Sequence, residues 1–118
     1  MTTATRASAT TYFEAWRDKD FDKLRTVLAE NVSFRGPMGT ADGIDDCVQG
    51  IQQMAAHTID IDVHVMAVDG EDVITFYDLQ MDGVEPVPTA NWSHVEAGRI
   101  TAIRATFDPR PLLAAADR

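Results

Sequence analysis

Three residues carry most of the chemistry that this sequence can offer: Asp78, His94 and Tyr12. Asp78 stands in the alternating run Ile74-Thr75-Phe76-Tyr77-Asp78-Leu79-Gln80, where residues two apart share one face of a strand. Set between Phe76 and Gln80, its carboxylate is drawn toward apolar company. Desolvation raises a carboxylate's pKa and equips it as a general base near neutrality. An imidazole such as His94 titrates in the same range and can shuttle the proton or hold the acid in place. A phenol such as Tyr12 can donate to a carbonyl oxygen that gains charge on enolisation or nucleophilic attack. Each also has a purely structural reading: Asp78 paired with Arg35 or another cation, His94 hydrogen-bonded at a sheet rim, Tyr12 packed on a helix face.

Around them, Trp16, Phe34, Met38, Met54, Val63, Phe76, Trp92, Ile103 and Phe107 are candidates to line a cavity for a flat or cyclic ligand, or simply to fill a core. His57, His64 and His94 have no cysteine partners and no second ligand at metal spacing along a helix, so no metal is implied. No cofactor is implied either. Cys47 is alone among Ile44, Val48 and Ile51, which excludes an internal disulfide and suits a small core residue.

These side chains need elements to position them. From about Thr5 to Asp18, Ala7, Tyr12, Ala15 and Trp16 recur at helical spacing. Asp20 caps a second helix with Phe21, Leu24, Val27 and Leu28 inward, ending near Asn31. Val32 to Arg35 alternate as a short strand, and Gly36-Pro37-Met38-Gly39 turns the chain into a loop. Asp42 caps a third helix with Asp45 and Asp46 in its first turn and Ile44, Val48, Ile51 and Met54 inward. Four strands follow: Ile59 to Val68, Val73 to Met81, Val87 to Val95 and Ile100 to Phe107. The turns Asp69-Gly70, Asp82-Gly83 and Ala97-Gly98 make them antiparallel. Asp108-Pro109-Arg110-Pro111 then stops the sheet and leaves a tail from Leu112. The predicted fold is α+β, a single domain over residues 1–118: a cone of three N-terminal helices packed on a strongly curved antiparallel sheet enclosing a pocket.

Regular two-residue turns would set the faces. The first hairpin groups Ile59, Ile61, Val63 and Val65 with Ile74, Phe76, Asp78 and Gln80. The last groups Ala90, Trp92 and His94 with Thr101, Ile103 and Ala105. Helices should cover this more apolar side, which brings Asp78 and His94 into the pocket. The other side, with Thr75, Tyr77, Asn91, Ser93, Arg104 and Thr106, is then uncovered and suited to pairing two copies as a homodimer.

Length and charge bound the remaining options. A chain of 118 residues has room for one domain, and 45% hydrophobic with 25% charged residues is an ordinary globular composition. The net charge of −9 argues against nucleic acid and anionic membranes, both of which need basic patches. The N-terminal residues have no continuous apolar stretch of the kind a secretory signal needs, so a cytoplasmic address is expected.

Thr11-Tyr12-Phe13-Glu14-Ala15-Trp16, Asp20-Phe21-Asp22-Lys23-Leu24, Phe34-Arg35-Gly36-Pro37-Met38-Gly39 and the ending Gly98-Arg99-Ile100-Thr101-Ala102-Ile103-Arg104-Ala105-Thr106-Phe107-Asp108-Pro109 resemble the NTF2-like superfamily across nearly the whole chain. Within it the chain most resembles the SnoaL-like polyketide cyclases, relatives of ketosteroid isomerase and limonene epoxide hydrolase. The resemblance implies that Tyr12 matches the isomerase's oxyanion-donating tyrosine, while Gly36 stands where that enzyme has its aspartate base. Asp78 falls near the epoxide hydrolases' strand aspartate, but Phe76 replaces their arginine and Ala105 their last-strand aspartate. His94 lies where the cyclases carry a pocket histidine, again with Ala105 in place of their aspartate. The expected function is acid/base isomerisation, cyclisation or hydration of a small apolar carbonyl compound or epoxide. The alternative is a ligand-binding or dimeric interaction domain without chemistry.

Overall fold

The computed structural model describes residues 2–116. Helix α1 (Thr2–Asp18) buries Ala9, Tyr12, Phe13, Ala15 and Trp16, so the expected face holds at Tyr12, Ala15 and Trp16, while Ala7 is exposed. It ends in a Schellman turn: Lys19 takes φ 58°, its N–H reaching the Trp16 carbonyl at 3.1 Å and the Asp20 N–H that of Ala15 at 2.9 Å. Asp20 caps α2 (Phe21–Arg25) through the Lys23 N–H, as expected. That helix stops well before Asn31. Thr26 Oγ1 donates to the Lys23 carbonyl at 2.6 Å, and the Ile100 N–H bonds Val27 at 2.7 Å, drawing the next residues into strand β1 (Leu28–Gly36).

The expected loop after β1 is a hairpin strand, β2 (Gly39–Asp42). Asp42 therefore does not cap α3 (Ile44–Ala55); Gly43 does, at φ 90°, and the Asp42 carboxylate pairs with Arg35 at 2.9 Å. Strands β3 (Thr58–Asp69), β4 (Asp72–Met81), β5 (Val87–Glu96) and β6 (Arg99–Thr106) lie close to their expected bounds. The sheet order is β2-β1-β6-β5-β4-β3. β1 runs parallel to β6, so the sheet is mixed rather than antiparallel throughout. Beyond the last strand the tail forms α4 (Arg110–Ala116), with Leu112 buried.

Two β-bulges overturn the predicted faces. Ala67 pairs with Ile74 and Val65 with Phe76, yet past one extra residue Val63 pairs with Tyr77 and Ile61 with Leu79. On β6, Val95 pairs with Ile100, and past Thr101 the partners become His94 with Ala102 and Ser93 with Ile103. Each bulge shifts its strand by one residue, which exchanges inside and outside beyond it. The helices cover Val73, Thr75, Tyr77, Leu79 and Met81 on β4 and Val87, Thr89, Asn91, Ser93 and Val95 on β5, all buried. Phe76 and Trp92 give way because their face also holds Asp72, Asp78, His94 and Glu96, whose burial would cost more than leaving two aromatics outside.

Candidate functional site

The inner face of the sheet, α1, α3 and α4 surround a cavity of about 610 Å³. Tyr12 enters it from α1 and Tyr77 from β4, with Trp16, Phe34, Met54, Leu79, Phe107 and Leu112 as apolar walls. The aromatic cluster is tight: Tyr12 meets Trp16 edge-on at 6.2 Å between centroids, and Tyr77 meets Phe13 at 5.1 Å and Trp16 at 6.1 Å. Trp16 is fixed in turn, its Nε1–H donating to Thr58 Oγ1 at 3.3 Å while that hydroxyl donates to the Met54 carbonyl at 2.8 Å.

The polar groups along the floor are uncharged. Ser93 Oγ donates to Asn91 Oδ1 at 3.1 Å, which orients the amide, and Thr89 Oγ1 donates to the Val87 carbonyl at 3.1 Å. Burial pushes the Tyr77 phenol well up, and hydrogen bonding with Asn91 opposes the rise, as an amide donating to a phenol oxygen does. Such a bond leaves the Tyr77 proton free to donate elsewhere. Tyr12 is raised too, first by burial and then by the nearby Tyr77 and Cys47. Burial, with Asp42 and Asp46, pushes the Cys47 thiol up to about 11, against the pull of Arg35, so it is a neutral wall group. Among the described lining residues the other ionisable groups are His57 and Asp82, both exposed and joined by a 3.0 Å bond from the Asp82 N–H to the His57 carbonyl.

Of the residues singled out by sequence, Tyr12, Trp16, Phe34, Met38, Met54 and Phe107 line this cavity. Ile103 is buried in the core. Val63 lies in a separate groove of about 330 Å³ between α1 and β3, with Arg6, Phe13 and Met66. Phe76 and Trp92 are on the outer face, Phe76 44% exposed.

Asp78 and His94 are on the outer face as well, and the structure does not bring them together with Tyr12. Asp78 Oδ2 meets His64 Nε2 at 3.0 Å. His94 Nδ1 meets Asp72 Oδ1 at 2.8 Å, and the same oxygen accepts from Trp92 Nε1 at 3.0 Å. That bond holds the His94 imidazole above its usual pKa and Asp72 below the usual carboxylate range. Of the structural partners open to Asp78, Arg35 is engaged by Asp42, and His64 takes its place.

Sequence reasoning passed over Tyr77, Asn91, Thr89, Leu112, His57 and Asp82. A signal for the first three was available: Thr75, Tyr77, Thr89, Asn91 and Ser93 alternate without a single charge, whereas the opposite face is interrupted by Asp72, Asp78, His94 and Glu96.

Residues 9–103 match the family model described as SnoaL-like domain. No curated protein matches the chain. An NTF2-like protein of unknown function from Cytophaga hutchinsonii is 31% identical, with a TM-score of 0.82 over 92% of this chain and 94% of the other. A protein from Kribbella flavida is 27% identical, with a TM-score of 0.88 over 94% and 92% of the two chains. An LEH-like epoxide hydrolase from M. tuberculosis shares the fold, with a TM-score of 0.79 at 20% identity over 98% and 97%.

Proposed function

The chain belongs to the SnoaL-like domain family within the NTF2-like fold, and from that premise we propose that its cavity takes a small, mostly apolar molecule held by one acceptor oxygen. The observation that carries this reading is the pair of buried phenols, Tyr12 and Tyr77, facing one space among aromatic and aliphatic walls. Both are protonated donors at neutral pH, so a carbonyl oxygen is the complementary group, while a carboxylate or ammonium would have to leave water without a counter-charge. Titrating the protein calorimetrically with a flat cyclic ketone and its deoxygenated analogue tests the reading. The ketone should bind more tightly, and Tyr12→Phe and Tyr77→Phe should each remove about 0.5–1.5 kcal/mol of that preference. Equal affinity for the two probes would sink it.

A catalytic reading is favoured by His57 and Asp82 on the cavity lining. His57 would act as base on a carbon next to the bound carbonyl, with the two phenols donating to the enolate oxygen. The proton leaves carbon for His57 while the electron pair moves onto oxygen. Deuterium exchange into a bound ketone, lost in His57→Ala and kept in Asp78→Asn and His94→Ala, would establish it. Ketone binding with no exchange would leave a carrier or sensor.

The homodimer is proposed through the outer sheet face, where Arg104 and Thr106 stay and the other expected residues do not. Thr75, Tyr77, Asn91 and Ser93 are buried inside, and the exposed patch is instead Val65, Ile74 and Phe76 beside Trp92, with Arg104 6.0 Å above the indole.

A further inference from the structure

The outer face carries a cluster that the cavity does not use. Asp62 and Asp78 are direct cross-strand partners, an arrangement of two carboxylates that repels when nothing stands between them. His64, two residues beyond Asp62 and at the β3 bulge, brings its Nε2 to 3.0 Å from Asp78 Oδ2. One donor atom from each of the three lies within 4.8 Å of the other two. The Phe76 ring flanks the imidazole at 5.8 Å, tilted 36°.

We propose that Asp62, His64 and Asp78 form a surface site for one divalent transition-metal ion of the zinc class. Two carboxylates and one imidazole supply charge and donors that a dication neutralises and fills. Ligands on a tetrahedral zinc stand about 3.3 Å apart at the usual bond lengths, close to the observed His64 to Asp78 separation. The imidazole selects against magnesium and calcium, which prefer oxygen donors in larger number. Three protein ligands leave one coordination position for water. Spacing along a helix could not disclose the site, because two ligands are two apart on a strand and the third comes from the neighbouring strand.

The test uses the untagged full chain, stripped with a chelator and titrated with zinc chloride by calorimetry, with the histidine ring signals followed by NMR. One zinc per chain should bind, shifting the His64 ring while those of His57 and His94 stay in place. His64→Ala, Asp62→Asn and Asp78→Asn should each weaken binding about tenfold or more. Magnesium in excess should not displace the zinc. All three side chains are at least partly exposed, so the variants should keep the wild-type circular dichroism and melting temperature. No His64 shift at saturating zinc, an Asp62→Asn affinity equal to wild type, or loss of binding in His94→Ala but not His64→Ala would each overturn the site. The ketone titration does not bear on these outcomes, since the three ligands lie outside the cavity.

Discussion

Tyr12 and Tyr77 are the two tyrosines of the chain, which makes their ionisation directly readable. Both phenols are raised by burial, so alkaline titration followed at tyrosinate absorbance should show no signal near pH 10, the ordinary phenol value, and should rise only when the fold opens. A normal titration of either would place its hydroxyl in water and remove the basis for the ketone site. The second residue-scale prediction concerns His94. Its folded pKa is raised by Asp72, so the pair's contribution is complete below the ordinary histidine value and fades as pH climbs through the folded one. Asp72 is lowered, so its share fades in the opposite direction, as pH falls through its depressed pKa. Asp72→Asn should bring the His94 pKa, followed by NMR, down toward the ordinary imidazole range.

At the scale of elements, two turns store removable strain. Lys19 at the end of α1 has φ 58° and Ala97 in the β5–β6 turn has φ 52°, a left-handed backbone that costs a side-chain-bearing residue about 1 kcal/mol or more. Lys19→Gly and Ala97→Gly should each raise the melting temperature, by up to about 1 kcal/mol of stability after the entropy of a freer unfolded chain is subtracted. A fall in either would show that the side chain makes a contact worth more than the strain. Elements of this kind were largely legible in the sequence: the Tyr12 and Trp16 helix face, the Asp20 cap and the four long strands all follow from periodicity and local chemistry. The faces were not. His64 and Thr101 look like ordinary strand residues, and whether a strand admits an extra residue is decided by its pairing with a neighbour far along the chain. Regular alternation alone therefore puts Asp78 and His94 in the pocket and Tyr77 and Asn91 on the surface.

For the whole molecule, the acidic charge and the apolar outer patch act against each other. Two chains of net charge −9 repel, while burying Phe76, Ile74 and Val65 draws them together. Light scattering should give twice the chain mass, with association strengthened as salt screens the repulsion. Phe76→Lys should give a monomer that keeps the wild-type melting profile, whereas a monomeric wild type across salt concentrations would leave the patch without this partner. The overall architecture was readable from the pattern, but the parallel pairing of β1 with β6 joins segments whose sequences carry no mark of each other.

The two bulges give each bulged strand a margin of one residue. A substitution at His64 or Thr101 alters one side chain, and removing either residue closes its bulge while the pairs on both sides stay as they are. Without Thr101, Ile100 would still face Val95, and Ile103 would still face Ser93 inside while Arg104 stays outside with Trp92. In these two strands the added residue is open to loss, and the pairing on either side of it is not.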